Sequence, residues 1–325
     1  MKRILVITNN LAQASYRLRL AALIPRLAQR GFDCHVQVRP AAWLARRKLL
    51  DSARSFDAVI LQRKLLDPWD ARRLRLNSRR LFFDVDDAVM FHNRPIGIIA
   101  RWRQWRRFLA TAHAADRVVA GNSYLADYFH AEGARVTLLP TLVDPARYQI
   151  KQHAPTAIPR LVWIGSRSTL PYLEQCLPPI RAAAEKIPGL TLVTIADATL
   201  SSPGIPIEHI PWSESTESQS LLRGDIGIAP TPLDRWTRGK CGFKILQYMA
   251  AALPVIASPI GLNCDLITEQ TGLLAAASDQ WTAAIIDLAA NTDRRAALGH
   301  AGRSRAQSEF NLDRGADIWA ALLNS

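Results

Sequence analysis

Residues 223–261 read RGDIGIAPTPLDRWTRGKCGFKILQYMAAALPVIASPIG, and this stretch decides the fold. The short apolar run Ile226–Ala229 predicts a buried strand, and a proline-rich loop follows it. A helical pattern over 239–252 then leads into a second apolar run, Val255–Ala257. Short strands that alternate with helices in this way indicate a parallel sheet covered by helices on both faces.

The same alternation runs along the whole chain. In the first half it predicts strands at Ile4–Thr8, Cys34–Val38, Ala58–Leu61, Leu81–Val85, Val118–Ala120 and Val136–Leu139, with helices near 16–30, 42–54, 68–77, 98–114 and 123–132. In the second half it predicts strands at 160–165, Thr191–Ile195, Ile207–Ile210, Ile226–Ala229, Val255–Ala257 and Gly272–Ala275, with helices near 168–187, 216–223, 239–252, 262–269, 278–290, 292–308 and 312–323.

The segment 140–159 loses this periodicity and predicts a linker. We therefore expect an α/β protein of two Rossmann-like domains, residues 1–150 and 151–325, that face each other across a cleft, with the last helix able to pack on the first domain.

Composition excludes several classes of protein. The chain has 325 residues, of which 49% are hydrophobic and 21% are charged, and these values exclude a disordered or coiled-coil protein. Its four cysteines are far apart, which excludes a zinc ribbon or a disulfide scaffold and indicates a reducing compartment. Because no apolar run approaches about 18 residues, we expect a soluble cytoplasmic protein.

The positive charge is concentrated in the first half of the chain. Residues 1–151 contain 27 basic and 12 acidic side chains, whereas the remaining residues contain 14 and 16. This asymmetry indicates that the first half binds a polyanionic partner, such as nucleic acid, anionic lipid or a phosphorylated substrate.

Two lysines in the stretch quoted above predict a phosphate site. Lys240, Lys244 and Gln247 have the spacing of one helical face. Free N–H groups and the dipole at the start of a helix favour an anion, glycines allow its close approach, and ammonium groups neutralise its charge. The alternative is a solvated lysine face with no ligand.

The stretch resembles the donor-binding segment of the retaining family-four glycosyltransferases of the GT-B fold. The matching residues are Lys240, Gly242, Phe243, Lys244, Leu246, Gln247, Tyr248, Met249, Ala250 and Pro254-Val255. Ala14–Arg19, Leu61–Leu65, Phe83–Asp87 and Trp163–Ser166 resemble further stretches of the bacterial surface-polysaccharide members. Gly239 and Gln247 occupy positions where many members have glutamates.

The resemblance implies sugar transfer from a nucleotide-diphosphate sugar, linked to UDP or GDP, with no obligatory cofactor or metal. It also implies a lipid-linked saccharide acceptor, a role in polysaccharide or lipopolysaccharide synthesis, and a place on the inner face of the cytoplasmic membrane. Together with the positions of the strand ends, it predicts that the donor contacts Gly165, Ser166, Arg167, Lys240, Gly242, Phe243, Lys244, Gln247 and Ser258.

The first half supplies the remaining candidates. We predict Asp86, His92, Lys240 and Lys244 as catalytic residues, and Ser15, Tyr16, Arg17, Arg63, Asp84 and Asp87 on the acceptor side. A carboxylate there would hold an acceptor hydroxyl. The aspartates have an alternative role as caps or ion-pair partners, and His92 as a structural or exposed residue.

Two other functions compete with sugar transfer. Residues 81–89 also fit the opening motif of haloacid-dehalogenase-type phosphatases, with Asp84 as nucleophile and Asp86 as acid/base around magnesium. That motif belongs on a first strand, whereas here it ends the fourth. A non-catalytic protein that binds polyanions is the other competing hypothesis.

The segment 101–108, Arg-Trp-Arg-Gln-Trp-Arg-Arg-Phe, is both aromatic and cationic. Such a helix suits the headgroup layer of an anionic membrane. Arginines and aromatics also bind single-stranded nucleic acid, but no nucleic-acid-binding signature accompanies the segment, so we favour the membrane. The alternative is a helix whose tryptophans lie in the core and whose arginines are solvated.

Overall fold

The computed structural model describes residues 1–92, 96–155, 158–202 and 204–325, and the chain folds into two units. The first unit contains Met1–Leu142, Asp234–Cys241 and Leu312–Ser325. The second contains Val143–Leu233 and Gly242–Asn311. The sequence placed the boundary at 150/151, within the predicted linker 140–159. Of that linker, residues 156 and 157 lie outside the described residues.

Six parallel strands form the sheet of the first unit, as predicted. They are β1 (Lys2–Thr8), β2 (Phe32–Val38), β3 (Ala58–Gln62), β4 (Leu81–Val85), β5 (Arg117–Ala120) and β6 (Val136–Leu138). Their spatial order is β2-β1-β3-β4-β5-β6. The strands β3 and β4 are buried along their whole length, which explains their apolar sequence up to Leu61 and Phe83. The order reverses between β1 and β3, and the carboxyl ends of strands at such a switch point are where α/β sheets bind ligands.

The helices of this part are α1 (Ala14–Tyr16), α2 (Ile24–Gln29), α3 (Trp43–Ser52), α4 (Pro68–Asn77), α5 (Ile98–Ala114) and α6 (Ser123–Ala131). The predictions of 68–77 and 98–114 are confirmed. The predicted helix near 16–30 is instead divided by a π-helical turn, Arg17–Ala21. At α4, the Asp67 carboxylate accepts the N–H groups of Trp69 and Asp70, so a side-chain cap fixes where that helix begins.

The second unit contains a further parallel sheet of six strands. They are β7 (Arg160–Ile164), β8 (Thr191–Ala196), β9 (Ile207–Pro211), β10 (Ile226–Ala229), β11 (Val255–Ala257) and β12 (Gly272–Leu274). The order β12-β11-β10-β7-β8-β9 reverses between β7 and β10. The second switch point therefore lies where β7 and β10 end.

The helices of the second unit are α7 (Leu170–Gln175), α8 (Leu177–Lys186), α9 (Glu217–Leu221), α10 (Phe243–Ala250), α11 (Asn263–Leu266), α12 (Ser278–Ala290) and α13 (Thr292–Glu309). The prediction of 278–290 is confirmed. The predicted single helix 168–187 is two helices, because Pro178 and Pro179 have no N–H with which to continue the ladder.

The last helix, α14 (Leu312–Asn324), belongs to the first unit. Its Trp319 is fully buried and meets the Phe82 ring edge to face, with 5.9 Å between the ring centroids. Arg80 and Lys2 donate hydrogen bonds to the Leu323 carbonyl in its last turn, where carbonyls have no N–H donor within the helix. Among the described residues, every helix is too short or too polar to cross a membrane.

Candidate active site

A cavity of about 600 Å³ lies in the second unit at the carboxyl ends of β10 and β11. The loop Pro230–Leu233 lines it, together with Ser258–Ile260. The Ser258 hydroxyl accepts the N–H of Thr231 at 3.0 Å, so the two loops hold one another. The structure thus brings Ser258, a predicted donor contact, to the wall of a preformed cavity.

The predicted phosphate site lies at the start of α10. This helix begins at Phe243 and not near Gly239. Thr237–Gly239 form a 3-10 turn, and Lys240 after it is extended. Gly242 caps the helix with a φ of 62°, which only glycine adopts without strain, and a Cβ there would lie 2.7 Å from Leu266. The N–H groups of the first helical turn lack intrahelical acceptors and suit an anion.

Lys244 lies in this first turn and is half-buried. Its Nζ lies 4.6 Å from the centroid of the Trp163 ring, which is fully buried on β7. A Cβ at Gly165 would lie 2.3 Å from that ring, so Gly165 makes room for the indole. Gly165 therefore positions Lys244 indirectly, by allowing Trp163 to lie beneath it.

The loop after β7 could offer side chains to a ligand, but its backbone N–H groups already donate hydrogen bonds within the second unit. The N–H of Gly165 donates to the Ile195 carbonyl at 3.0 Å. The N–H of Ser166 donates to Thr169 Oγ1 at 3.1 Å, and that of Arg167 to Asp197 Oδ1 at 2.6 Å. The amide groups of Gly165 and Ser166 are therefore not available to a donor phosphate in this structure.

Gln247 is only 5% exposed, whereas Phe243 in the first turn of α10 is half-buried. The Gln247 side chain hydrogen-bonds the Tyr148 side chain, and the Tyr148 hydroxyl donates to Glu217 Oε1 at 2.6 Å. Burial, followed by the nearby Glu217, raises the pKa of Tyr148. The Gln247 amide, which the sequence predicts as a donor contact, is therefore engaged by its own unit.

In the first unit, Asp84, the last residue but one of β4, forms a buried ion pair with Arg19. Arg19 Nη2 lies 2.7 Å from Asp84 Oδ1, and Arg19 Nε lies 3.1 Å from Oδ2. Both carboxylate oxygens are thus occupied, and Arg19 also donates to the Leu139 carbonyl at 2.9 Å. Asp84 therefore has a structural role rather than the predicted acceptor contact. It also lacks the free oxygen that the phosphatase hypothesis requires.

Asp86 and Asp87 follow at the same sheet edge. Asp87 Oδ2 lies 2.5 Å from Arg63 Nη2, and Arg63 is held at a φ of 59°. Asp86 is 4% exposed, and its Oδ1 has no hydrogen-bond partner among the described residues. Burial, followed by the neighbouring Asp87, raises the pKa of Asp86 to about 7. Such a carboxyl group exchanges a proton near neutral pH, as a general acid or base must.

Lys240 also lies in the first unit. Its Nζ is 3.9 Å from Asp87 Oδ1 and 5.5 Å from the Trp236 ring centroid. The Asn122 amide donates to the carbonyls of Arg238 and Lys240, which fixes the backbone of this segment. The prediction that Lys240 shares a helical face with Lys244 is therefore wrong, since only Lys244 belongs to α10 and the two residues belong to different units.

The remaining predicted residues divide into two groups. His92 is exposed and lines a cavity of about 230 Å³ in the first unit, together with Arg63. Ser15, Tyr16 and Arg17 are not among the described residues that line this cavity. Ser15 and Tyr16 are buried in α1, and the Ser15 hydroxyl has no hydrogen-bond partner among the described residues.

Sequence reasoning missed several residues at these sites. Arg19 holds Asp84, Asn122 holds the segment that contains Lys240, and Gln62 ends β3 with its Oε1 accepting the Thr8 hydroxyl at 2.8 Å. A polar residue at the end of a buried strand is the signal that would have found Gln62. No group of His, Cys, Asp and Glu residues that could hold a metal ion occurs among the described residues.

The family model of glycosyl transferases group 1 matches residues 204–291. This stretch contains Gly242, Lys244, Gln247 and Ser258. The chain carries a glycosyltransferase segment. No curated protein sequence matches the chain.

Solved structures resemble the whole chain. Sucrose-phosphate synthase from Thermosynechococcus elongatus is 16% identical with a TM-score of 0.73, over 100% of this chain and 98% of that one. HepE from Anabaena, solved with UDP and glucose, is 14% identical with a TM-score of 0.73, over 100% of both chains. A UDP-N-acetylglucosamine 2-epimerase from Listeria monocytogenes is 13% identical with a TM-score of 0.60, over 98% of this chain and 95% of that one.

These likenesses establish the fold as GT-B, with a Rossmann-like arrangement in each unit. The predicted fold class is confirmed. Because a protein named as an epimerase has a similar fold, the fold alone does not give the reaction. The family segment supplies that information, and with it the chain is a glycosyltransferase.

Proposed function

We propose that this glycosyltransferase moves a sugar from a UDP-sugar to a lipid-linked saccharide, with retention of anomeric configuration, in the synthesis of a cell-surface polysaccharide. The observation that supports the donor half of the proposal is the start of α10. Gly242 caps it, and Lys244 lies in its first turn within the matched segment 204–291.

The donor diphosphate would lie at the first turn of α10, where N–H groups, the helix dipole and the Lys244 ammonium group all favour negative charge. As the bond between the anomeric carbon and the diphosphate oxygen breaks, its electron pair leaves with the diphosphate. Lys244 would stabilise this developing charge, which is the role a metal has in other phosphate sites. HepE, solved with UDP, supports UDP over GDP as the nucleotide.

The acceptor side would use the first unit. The acceptor hydroxyl oxygen forms the new bond to the anomeric carbon and loses its proton. Asp86 is the group we propose to hold this hydroxyl and take the proton, because its Oδ1 has no hydrogen-bond partner among the described residues, with Arg63 Nε 3.8 Å away, and its pKa lies near 7. Arg63 and Asp87 beside it would fix its orientation.

A nucleotide-sugar screen tests the reaction. We expect UDP and UDP-sugars to raise the thermal midpoint of the protein, by the equivalent of about 2.7 kcal/mol when the ligand is at 100 times its Kd, and GDP to have a much smaller effect. The stabilising UDP-sugar should then be transferred or slowly hydrolysed without added metal. Stabilisation by GDP alone would contradict the UDP assignment. Release of an epimerised sugar, or metal-dependent release of phosphate, would contradict sugar transfer.

The protein would meet its acceptor at an anionic membrane surface, which it would contact through α5. Ile98, Ile99 and Trp102 on this helix are 74%, 63% and 56% exposed. Arg106 stacks over the Trp102 ring at 4.7 Å. Exposed apolar and aromatic side chains beside arginines on one helix suit the headgroup layer of a bilayer.

Vesicle flotation tests this contact. We expect binding to vesicles that contain anionic lipid, weak binding to neutral vesicles, and release as salt rises, because ions screen the arginines. Trp102→Ser should lower binding severalfold. Trp69→Ser is the matched control, because Trp69 is 80% exposed on α4 and should leave binding unchanged. Equal binding to neutral vesicles, or tighter binding to single-stranded RNA, would contradict the proposal.

A further inference from the structure

Two cavities of the first unit share three of their lining residues. The larger has a volume of about 880 Å³ and the smaller about 230 Å³. Phe91, His92 and Trp236 line both. The larger volume is that of a small-molecule site, and the shared residues make the two cavities neighbours.

The walls of the larger cavity are mostly aromatic and aliphatic, although Arg101, Asp234 and Arg235 also line it. Besides the shared residues, Met90, Trp102 and Trp105 line it. Trp236 is held in place from its own segment, because the Asp234 carboxylate accepts the Trp236 N–H at 2.7 Å. An apolar chain is the ligand for which such walls are suited, since its burial needs no polar partner.

The smaller cavity is cationic. Lys64 and Arg107 line it, together with the side chains of Asn9 and Gln104. Neither Lys64 nor Arg107 has a carboxylate within ion-pair distance among the described residues, in contrast to Arg63 on the same wall, which pairs with Asp87 at 2.5 Å. Burial, followed by the positive charges of Arg39 and Arg107, lowers the pKa of Lys64. The cavity thus contains positive charge that the protein does not neutralise.

We propose that the two cavities together bind a phosphate ester that carries an apolar chain, with the phosphate beside Lys64 and Arg107 and the chain among Trp102, Trp105 and Trp236. An anion supplies the charge that the smaller cavity lacks, and its ester chain fills the larger cavity. The inference rests on the proposed function in one respect. This ester is the anchor of the saccharide acceptor, which makes the acceptor a lipid phosphate or diphosphate.

Calorimetry on the full chain tests the site, with hexyl, octyl and decyl phosphate kept below their micelle concentrations. Each added methylene should tighten binding by about fourfold while the larger cavity is being filled. Inorganic phosphate alone should bind far more weakly than decyl phosphate. Decanol should also bind more weakly, because it leaves the two cations without an anion.

Matched variants separate the two halves of the site. Lys64→Met and Arg107→Gln should each weaken decyl phosphate by about tenfold and leave decanol unchanged. Trp102→Ala should weaken both ligands. Lys48→Met and Arg103→Gln are the controls, because these exposed cations do not line either cavity and should leave both affinities unchanged.

The proposal is overturned if chain length has no effect, if Lys64→Met and Arg107→Gln leave decyl phosphate unaffected, or if UDP displaces decyl phosphate competitively. The last result would place the ligand in the donor site. Because the experiment measures equilibrium binding, its result on the proposed site does not depend on sugar transfer. A protein that binds decyl phosphate in this manner but transfers no sugar would contradict the proposed function while retaining the site.

Discussion

Lys244→Ala is expected to lower sugar transfer by about 10²- to 10³-fold and to weaken UDP binding. The reason is that Lys244 is the cation in the first turn of α10, where we place the departing diphosphate. Loss of its contact with the Trp163 ring should change stability by only about 1 kcal/mol, so the variant should fold. Transfer rates and UDP calorimetry on the same preparation measure the two effects.

Lys240→Ala is the matched control for this prediction. It removes a lysine four positions earlier in the sequence, but one that lies beside Asp87 in the first unit. We expect its UDP affinity to stay within about twofold of the unsubstituted protein, well below the roughly tenfold effect of a lost charged hydrogen bond. If Lys240→Ala and Lys244→Ala lowered UDP affinity equally, the assignment of the diphosphate to α10 would be wrong.

Asp86→Asn should abolish most of the transfer while leaving UDP affinity unchanged, because Asp86 lies in the first unit and the proposed diphosphate site in the second. In the unsubstituted protein, transfer should rise as pH passes through about 7, since Asp86 accepts a proton only when ionised. The pH dependence of transfer should be lost in the variant. A variant with full activity, or with an unchanged pH profile, would remove Asp86 from the mechanism.

The same substitution should stabilise the fold at neutral and alkaline pH. The pKa of Asp86 is raised from 3.8 to about 7, chiefly by burial and Asp87 against the opposing effect of Arg19 and Arg63. Between these two values the folded protein binds the proton that the unfolded chain has released, so stability falls as pH rises through this range. Above about pH 7 the cost is as much as about 4 kcal/mol, and an uncharged Asn avoids it.

Thermal or urea unfolding at several pH values checks this expectation. The free energy of unfolding of Asp86→Asn should exceed that of the unsubstituted protein at pH 8, and the difference should disappear near pH 4. Asp127→Asn is a suitable control, because Asp127 is exposed on α6 and no buried carboxylate is removed. A variant that is less stable than the unsubstituted protein at pH 8 would show that ionised Asp86 stabilises the fold.

The regular elements could be predicted because their signals are local. All twelve predicted strands occur, and the predictions of 98–114 and 278–290 agree with α5 and α12 as observed. Buried parallel strands have continuous apolar runs, and amphipathic helices repeat their apolar positions every three or four residues. Neither pattern depends on distant parts of the chain.

The geometry of the site was harder to predict, because it depends on one backbone conformation and on one contact between distant parts of the chain. The spacing of Lys240 and Lys244 suggested one helical face, but Gly242 between them adopts a positive φ and begins the helix after Lys240. The second feature is the ion pair of Arg19 with Asp84, which joins residues 65 positions apart and leaves no pattern in the local sequence. Asp84 and Asp86 are only two residues apart, but the Arg19 pair occupies both oxygens of Asp84, whereas Oδ1 of Asp86 has no hydrogen-bond partner among the described residues.

The first unit is assembled from three separated stretches of chain, Met1–Leu142, Asp234–Cys241 and Leu312–Ser325. This has a consequence for engineering hybrid enzymes that combine the donor preference of one glycosyltransferase with the acceptor preference of another. A single crossover near residue 150 would transplant the short stretch with Trp236 and Lys240, and also α14, along with the donor half. A hybrid that preserves both units needs its junctions after Leu142, Leu233, Cys241 and Asn311, so that Lys240 stays with one parent and Lys244 comes from the other.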